Sequence, residues 1–310
     1  MVSIIIVTKG RKDYLKACLD SIEGQTYLAL EIIVIDNSCD ASFREGIIES
    51  YPRVKLYSNR DNLFYCEALN KGIRISNGDF ILCLNDDVIL DKKFIEEALR
   101  GFCHDAKIGM VSGKILRREG KTIDSTGLFL SFWRTAKERG YGSSDKGQFQ
   151  KEGYVFGVNG AVAFYSKNML ESIKENECYF DADFRIFYED LDIAWRAQRL
   201  GWKGYYIPAA IAYHVRGETV RAGSGIDKPY ARRFLNNELE ADLIKNRYLA
   251  IIKNESAFNF LLHLPGMVLY DFIIWSYILS FRPRLVKTFF LKIKYLKSAL
   301  EKRKLKLSIK

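Results

Sequence analysis

The chain has 310 residues, of which 48% are hydrophobic and 28% charged, so it can bury a sizeable core. This length predicts one large domain with an appendage. The net charge of +10 comes from residues 282–310, which hold eleven Lys and Arg and one acid, whereas residues 1–281 hold 37 basic and 37 acidic residues. A neutral body is not typical of a nucleic-acid-binding protein, and we expect no nucleic-acid partner.

The cysteine pattern and the first residues indicate the compartment. The six cysteines are scattered without a CxxC pair, which argues against a zinc ribbon and against a disulfide-stapled secreted scaffold. The opening MVSIIIVTKG lacks the basic region and the cleavage site of a signal peptide and instead predicts a buried first strand. Both features favour a reduced, cytoplasmic environment.

The first third of the chain alternates apolar runs with stretches of helical spacing. The runs that predict strands are 2–8, 30–38, 54–59 and 79–86, and the stretches that predict helices are 13–25 and 65–76. Such alternation is typical of βαβ units in an α/β fold with a parallel sheet. Ligands of these sheets bind outside the carboxyl ends of the strands, where three polar clusters fall: Thr8-Lys9-Gly10, Asp36-Asn37-Ser38 and Asn85-Asp86-Asp87.

The remaining two thirds are less regular. Residues 117–127 and 138–148 are polar and rich in Gly and Ser, so they predict loops, the second a candidate mobile lid. A strand is predicted over 204–215, ending with His214, and a basic loop over 217–225. From Asn237 the pattern is helical, and residues 256–281 form a long apolar stretch interrupted by His263, Pro265 and Asp271.

Two common nucleotide-binding signatures, GxxxxGK[ST] and a GxGxxG after the first strand, are missing. Instead, LNDDV (84–88) places two acids at a strand end, where they hold a divalent cation that bridges a diphosphate or simply cap the next helix. Asp36 accepts from a nucleobase imide or is a turn residue. A lone histidine such as His214 is usually structural unless a metal site lies beside it. The residue pattern leaves these alternatives open.

A third acidic group lies in FYEDLDIAWRAQRLGW (187–202). Acids in a first helical turn complement the helix dipole, and Asp192 precedes Arg196 by four residues, a favourable pair. Those effects need only one or two acids. Glu189 and Asp190 follow the bulky FRIFY, which shields them in part from water, and a half-buried carboxylate beside a metal-bound diphosphate is suited to be the general base for a hydroxyl nucleophile.

Together these segments resemble glycosyltransferase family 2, and especially its rhamnosyltransferase-like members. The matching pieces cover roughly residues 2–250 in the family's order: VSIIIVTKGRKDYLKACLDSIEGQTYLALEIIVIDNSCD, NRDNLFYCEALNKGI, GDFILCLNDDV, GVNGAVAFYSKNML and FDADFRIFYEDLDIAWRAQRLGW. The resemblance implies a GT-A type, Rossmann-like mixed sheet flanked by helices, with a helical C-terminal appendage. It implies a catalytic domain over 1–235, with a nucleotide-sugar half (1–115) and an acceptor half (116–235), followed by a membrane-associating helical region over 236–310.

The resemblance also assigns roles by position. Residues that it implies for binding the nucleotide sugar are Thr8, Asp36, Asn62, Asn70 and Asp86. The family's DXD motif falls at residues 85–87, where Asn85 replaces the first Asp. Asp87, the last residue of the motif, would bind Mg²⁺ or Mn²⁺ together with His214. Asp190 would be the catalytic base, with Glu189 orienting it or the acceptor.

The implied function is an inverting, metal-dependent hexosyltransferase. We expect a nucleoside diphosphate sugar as donor, preferably dTDP-L-rhamnose with a UDP-sugar as the alternative, and a lipid-linked or polysaccharide acceptor. A sugar nucleotidyltransferase is the rival from another class, since it too would use a metal-diphosphate site on an α/β sheet. The tail mixes Leu, Phe and Ile with lysines, which fits a basic amphipathic helix at an anionic leaflet or a solvated oligomerisation helix. We expect the first, and hence a peripheral protein on the inner face of the cell membrane.

Overall fold

The computed structural model describes residues 1–216 and 235–308. The strands are β1 (Val2–Thr8), β2 (Leu30–Asp36), β3 (Val54–Ser58), β4 (Phe80–Asn85), β5 (Val88–Leu90), β6 (Ile108–Arg117), β7 (Ile123–Ser125), β8 (Leu128–Leu130), β9 (Ala136–Glu138), β10 (Gly153–Val155), β11 (Val162–Ser166) and β12 (Lys203–His214). The helices are α1 (Lys12–Glu23), α2 (Ala41–Ser50), α3 (Phe64–Arg74), α4 (Phe94–Gly101), α5 (Lys167–Ile173), α6 (Glu189–Arg199), α7 (Asn237–Asn254), α8 (Ala257–Phe281), α9 (Pro283–Phe290) and α10 (Ile293–Ser308).

A single mixed sheet organises the domain. Its main path runs β10-β12-β6-β11-β4-β1-β2-β3, with β5 on β12 and β7 on β6, while β8 and β9 form a separate hairpin. Strands β4, β1, β2 and β3 are parallel, β11 is antiparallel to both β4 and β6, and β12 is parallel to β6. The predicted α/β fold with a mixed sheet and a helical C-terminal region is thus confirmed.

The apolar runs form strands because both faces of the sheet are covered. On β1, Ile4 and Ile6 pack among α1, α2 and α4, whereas Ile5 packs on the other face among α3, α5 and α6. The register sets Thr8 beside Asp36 and Val7 beside Asn85. The polar residues that follow β1, β2 and β4 therefore meet at one edge of the sheet, as expected for parallel strands.

Strand β12 is interrupted by a bulge. Ile207 pairs with Gly113 of β6 and Ile211 pairs with the next residue, Lys114, so residues 208–210 have no counterpart on β6. Beyond the bulge, β12 also pairs with β5, and His214 lies opposite Val88. This pairing brings the end of β12 beside the acids that follow β4.

Three local predictions need correction or remain open. Helix α2 was not predicted, because only Phe43 and Ile47 of its ten residues are buried and its apolar spacing is weak. The loop predicted over 117–127 contains strand β7. The predicted lid over 138–148 begins with the last residue of β9, and the basic loop predicted over 217–225 lies outside the described residues.

The C-terminal helices pack against the sheet domain through α7. Lys253 of α7 lies 2.7 Å from Asp181 and 3.1 Å from Asp192 of α6, and all three side chains are largely buried. On the same helix, Asn254 donates to Asp192 at 2.8 Å. Helix α7 thus shares a buried ion network with α6 across the domain boundary placed at residue 235. That boundary stays a prediction.

Helix α8 has one protected face and one exposed apolar face. It is long and apolar enough to cross a membrane, by length and composition, yet only 11% of its most apolar window is buried. Gly266, Met267 and Ile278 are buried against the protein. The opposite face exposes large apolar side chains: Phe258, Leu261, Leu262, Val268, Leu269, Phe272, Ile273 and Leu279. Such exposure is not that of a core helix in water.

Candidate active site

A cleft of about 650 Å³ opens at the carboxyl edge of the sheet. Among its lining residues are four of the predicted site residues, namely Asp87, Glu189, Asp190 and His214. They are spread over more than 120 residues of the sequence, and the fold brings them to one cavity. Clefts of this size with a few convergent polar groups are typical of small-molecule sites.

The predicted metal ligands lie side by side. His214 Nε2 is 3.3 Å from Asp87 Oδ1, and the backbone N–H of Val215 donates to Asp87 O at 3.0 Å, so the two strands fix their proximity. The other ring nitrogen, Nδ1, is 2.9 Å from Asp124 Oδ2, which orients the ring as outer partners of metal-binding histidines do. Burial opposes the imidazolium, but hydrogen bonds to Asp124 and Asp87 outweigh it and raise the pKa of His214 to about 8.

These two side chains fit a hard divalent cation that takes its other ligands from a substrate. Within the described part of the chain there is no cluster of three or more His, Cys, Asp or Glu side chains that would hold a metal without further ligands. One carboxylate and one imidazole leave most positions of a six-coordinate ion open to diphosphate oxygens and water. The donor set is therefore suited to a metal that binds together with a phosphorylated substrate.

Asp86 faces inward beside the same strand end. Its Oδ2 accepts from Thr8 Oγ1 at 2.7 Å and its Oδ1 accepts from Arg11 at 2.7 Å. Burial raises the pKa of Asp86, although Arg11 and Thr8 oppose the shift. Thr8 and Asp86 are thus joined to each other, and Arg11, which lines the cleft, carries a positive charge about 4.0 Å from Asp87.

The other residues predicted to contact the nucleotide sugar do not line the cleft. Asp36 is fully buried and accepts from Ser38 N at 2.7 Å and from Ser58 Oγ at 3.0 Å. Asn62 is exposed and accepts from Phe64 N at the start of α3. Their contact with a nucleoside stays a prediction.

Asn70 has a structural environment. Its side chain is fully buried, accepts from the backbone N–H of Tyr179 at 3.0 Å and of Phe180 at 2.9 Å, and donates to Phe180 O at 2.8 Å. These contacts occupy the amide in joining α3 to the segment before α6. The arrangement gives no support to its predicted contact with the donor, which also stays a prediction.

The acid pair lies at the first turn of α6. Asp190 Oδ2 accepts from the backbone N–H of Gly160 at 3.0 Å, and its Oδ1 accepts from Leu191 N at 2.8 Å. Glu189 is only 7% exposed, and its Oε2 has no hydrogen-bond partner among the described residues. Burial and the neighbouring Asp190 raise the pKa of Glu189 above its usual value.

The two acids therefore have different environments. Burial also raises the pKa of Asp190, but the N–H groups of Gly160 and Leu191 oppose that shift by stabilising the anion. Asp190 is the better placed of the two to hold the pair's negative charge, and its location at a helix N-terminus favours an anion further. The third acid, Asp192, points away into the protein, where Arg196 donates to it at 2.9 Å as the spacing predicted.

Sequence reasoning missed a further carboxylate, Glu138. It lines the cleft, accepts from Asn159 Nδ2 at 2.7 Å and from Ser125 Oγ, and burial followed by the charge of Asp190 raises its pKa to about 8. Asn159 Oδ1 in turn accepts from Ala161 N at 2.8 Å, which fixes the turn that presents Gly160 to Asp190. The sequence offers no local signal, because the β8–β9 hairpin brings Glu138 to the cleft.

Comparison with known proteins decides the family. The sequence model of Glycosyl transferase family 2 matches residues 3–174, which is more than half of the chain. The chain belongs to glycosyl transferase family 2. The predicted family and the predicted enzyme class, a glycosyltransferase, are thereby confirmed.

The curated relatives of this family 2 chain are distant. It is 23% identical over 224 residues to poly-beta-1,6-N-acetyl-D-glucosamine synthase of Staphylococcus aureus, and the match covers 71% of this chain and 51% of that protein. The chain thus spans about half the length of the curated relatives it matches. No rhamnosyltransferase specificity is shown by these relatives.

Solved structures share the fold of this family 2 chain. The S. aureus TarS 1-349 complex with UDP-GlcNAc aligns with a TM-score of 0.61 at 14% identity, covering 96% of this chain and 81% of that one. The mannosyltransferase PcManGT from Pyrobaculum calidifontis, in complex with GDP-Man and Mn²⁺, aligns with a TM-score of 0.55 at 14% identity, covering 97% and 86%. At this identity the likeness shows the fold alone.

The family match ends at residue 174, before α6 and the end of β12. The predicted roles of Glu189, Asp190 and His214 therefore stay predictions that rest on the cleft geometry. No observation favours the alternative of a sugar nucleotidyltransferase, since the matched family is one of glycosyltransferases.

Proposed function

We propose that this chain transfers a sugar from a nucleoside diphosphate to an acceptor hydroxyl with inversion at the anomeric carbon. One observation carries the proposal: Asp87 and His214, suited to a metal-bound diphosphate, share a cleft with Glu189 and Asp190, suited to proton abstraction. A diphosphate leaving group and a general base are the two requirements of a direct displacement of this kind.

In the proposed reaction, Asp190 accepts the proton of the acceptor hydroxyl. The hydroxyl oxygen forms a bond to the anomeric carbon as the bond from that carbon to the diphosphate oxygen breaks, so one displacement inverts the centre. The N–H of Gly160 holds one carboxylate oxygen of Asp190. Burial and the neighbouring Asp190 raise the pKa of Glu189, which favours its protonated form and leaves Asp190 to carry the charge.

Asp87 and the neutral form of His214 would hold the divalent cation, Mg²⁺ or Mn²⁺, whose binding would displace the proton that the metal-free site favours on the imidazole. When bound, the cation would neutralise charge on the departing diphosphate. Arg11, beside Asp87 and Asp86, adds a positive charge on the same wall of the cleft. PcManGT was solved with Mn²⁺, which supports a divalent ion without distinguishing the two metals.

The donor is proposed from two sources. The sequence resemblance favours dTDP-L-rhamnose, whereas TarS was solved with UDP-GlcNAc and the curated relatives are N-acetylglucosamine polymer synthases. Both nucleosides carry an imide that could donate to a carboxylate such as Asp36, so the site chemistry does not separate them. We place UDP-N-acetylglucosamine first, because the relatives support it independently of the resemblance.

A panel of nucleotide sugars tests the proposal. The chain is incubated with UDP-, dTDP- and GDP-sugars and Mn²⁺ or Mg²⁺, and slow hydrolysis to the nucleoside diphosphate is measured without any acceptor. We expect one nucleoside class to be hydrolysed in a metal-dependent reaction. Release of pyrophosphate from a nucleoside triphosphate, with no hydrolysis of any sugar donor, would contradict it and favour a nucleotidyltransferase.

We also propose that the chain acts at an anionic membrane surface on a lipid-linked acceptor. The helices that follow α8 in the chain, α9 and α10, expose basic side chains: Arg284, Lys287, Lys294, Lys297 and Lys304. Apolar area next to basic groups is the pattern that binds anionic bilayers. An acceptor anchored in the same bilayer would then be presented to the cleft.

The contacts of α8 favour an orientation in the membrane plane over a span. Asp271 accepts from Arg247 of α7 at 2.5 Å, and Phe132 at the tip of the β8–β9 hairpin packs so closely on Gly266 that a methyl group there would overlap it. A transmembrane position would draw α8 away from these partners and bury Asp271 in lipid, which is costly. Lying in the plane keeps them and buries only the exposed face.

Flotation with liposomes tests the membrane proposal. Leu269→Glu together with Phe272→Glu, in the centre of the exposed face, should abolish binding to anionic vesicles, and Leu28→Glu provides a matched control because Leu28 is 78% exposed on the sheet domain. Removing residues 282–310 should weaken binding to anionic vesicles in particular. Equal flotation of all variants would contradict the proposal.

A further inference from the structure

The segment that leads into the acid pair has an unfavourable backbone. Three non-glycine residues within four positions have a positive φ, on the left-handed side of the backbone map: Arg185 (φ 64°), Phe187 (φ 71°) and Tyr188 (φ 66°). Side chains with a Cβ disfavour this region, so a run of such residues persists only where neighbouring groups hold it. Glu189 and Asp190 follow at once as the first residues of α6.

One side chain of α7 holds this segment. Asn246 is fully buried, and its Nδ2 lies within hydrogen-bonding distance of three backbone carbonyls, Phe184 O at 2.8 Å, Ile186 O at 2.7 Å and Phe187 O at 2.7 Å. Three acceptors around one atom require the amide nitrogen there and not the oxygen. The backbone of residues 185–188 wraps around the Asn246 amide, and we refer to this segment as the left-handed turn.

The rest of the turn is fixed from α3. The backbone N–H groups of Tyr65 and Cys66 donate to Arg185 O at 3.0 and 3.2 Å. Phe187 and Tyr188 line the cleft beside the acids, so any relaxation of the turn would move both the cleft wall and the first turn of α6. A displacement of about 1 Å at a reacting group is enough to lower a rate on the order of 100-fold.

We propose that Asn246 is a positioning residue for the acid pair, holding the left-handed turn 185–188 so that Asp190 faces the acceptor. The inference rests on the proposed function for the role of Asp190. It makes α7, a helix of the C-terminal region, part of the apparatus that aligns the base. Asn246 itself does not line the cleft and acts through the backbone of the turn.

Asn254 supplies a matched control on the same helix. It is also buried, and its amide donates to α6 at 2.8 Å, but to Asp192 on the side away from the cleft. Alanine at either position removes buried hydrogen bonds of one asparagine, and both variants should lose stability. Only Asn246→Ala releases the carbonyls of the left-handed turn.

The kinetic test uses whichever nucleotide sugar of the panel the wild-type chain hydrolyses. For Asn246→Ala we expect kcat to fall about 100-fold, with KM for the donor unchanged and one nucleoside diphosphate bound per chain by calorimetry. The unchanged stoichiometry excludes a smaller folded fraction as the cause. Asn254→Ala should keep kcat within about threefold of the wild type. Equal kcat values for the two variants would overturn the inference.

A second set of variants tests the strain itself. In the Asn246→Ala background, Arg185→Gly should restore kcat about fivefold better than Arg185→Ala, because glycine adopts the left-handed backbone readily and both changes remove the same side chain. If Asn246→Ala does not fold, Asn246→Ser retains one donor in a smaller side chain and takes its place. No difference between glycine and alanine at position 185 would contradict the proposed strain.

Hydrogen exchange separates failure of this inference from failure of the proposed function, because it requires no turnover. The backbone amides of residues 186–191 should exchange faster in Asn246→Ala than in Asn254→Ala. If exchange is faster but the wild type hydrolyses no donor, Asn246 stabilises the turn as inferred and the proposed glycosyl transfer is wrong. Equal exchange in the two variants would contradict the inference that Asn246 stabilises the turn.

Discussion

Gly160 offers the sharpest test of the acid pair, because its backbone approaches both acids closely. A Cβ at this position would lie 3.1 Å from Glu189 Oε1, 3.2 Å from Asp190 Oδ2 and 3.4 Å from Asp190 Cβ. Gly160 is not among the glycines of positive φ, so alanine meets no backbone strain there. The change Gly160→Ala therefore presses on the two carboxylates and on little else.

The size of the effect follows from these distances. Contacts this short force the acids to retreat by a few tenths of an ångström, and the N–H of Gly160 that holds Asp190 is displaced with them. We expect kcat to fall between about 10-fold and about 100-fold while the donor's KM is unchanged. The free energy of unfolding should change little. Alanine lowers the conformational entropy of the unfolded chain, and this stabilisation of about 0.4–1 kcal/mol offsets part of the cost of the close contacts.

The assay is donor hydrolysis or transfer, with Gly153→Ala as control. A Cβ at Gly153 meets no atom within 4 Å, so this variant makes the same chemical change in open space. Its kcat should equal that of the wild type. If Gly160→Ala also retained the wild-type kcat, the acids would not be the reacting groups, and the reasoning from the cleft would be refuted.

Two further predictions concern the carboxylates. Asp190→Asn keeps an oxygen that can accept from Gly160 N–H but removes the base, so transfer should fall at least about 100-fold while calorimetry shows unchanged nucleotide binding; retained turnover would exclude Asp190 as base. The pKa of Glu138 is raised from 4.5 to about 8, so its contribution to stability is complete below the unfolded pKa and is lost as pH rises through the folded one. As the pH rises from about 5 to about 9, Glu138→Gln should therefore gain stability relative to the wild type in urea unfolding, by an amount on the order of 5 kcal/mol, and a constant difference would contradict the assigned environment.

The fold could be predicted because its central strands are unambiguous. Strands β1, β2 and β4 are continuous apolar runs covered on both faces, and their alternation with helices specifies a parallel arrangement. Helix α2 was not predicted. Asp40 caps it, but only two of its side chains are buried. Weak amphipathicity leaves too little periodicity to detect.

The site was predictable where its residues belong to short motifs. Asp87 and Asp190 each follow a recognisable strand or precede a recognisable helix, and the fold places both in the cleft. Glu138 and Asn246 were not predictable, because one depends on a hairpin and the other on backbone carbonyls about 60 residues away. The order of side chains in a sequence does not show which backbone carbonyls each side chain will contact in the fold.

The bulge in β12 determines whether the imidazole reaches the cleft at all. Successive residues of a strand point to opposite faces, so the number of residues in the unpaired stretch 208–210 sets the side on which His214 emerges. Deleting one residue there would turn the imidazole away from Asp87 without changing any ligand. A single-codon insertion or deletion there, far from the acids, would thus remove His214, the proposed metal ligand, from the cleft while every functional side chain is retained.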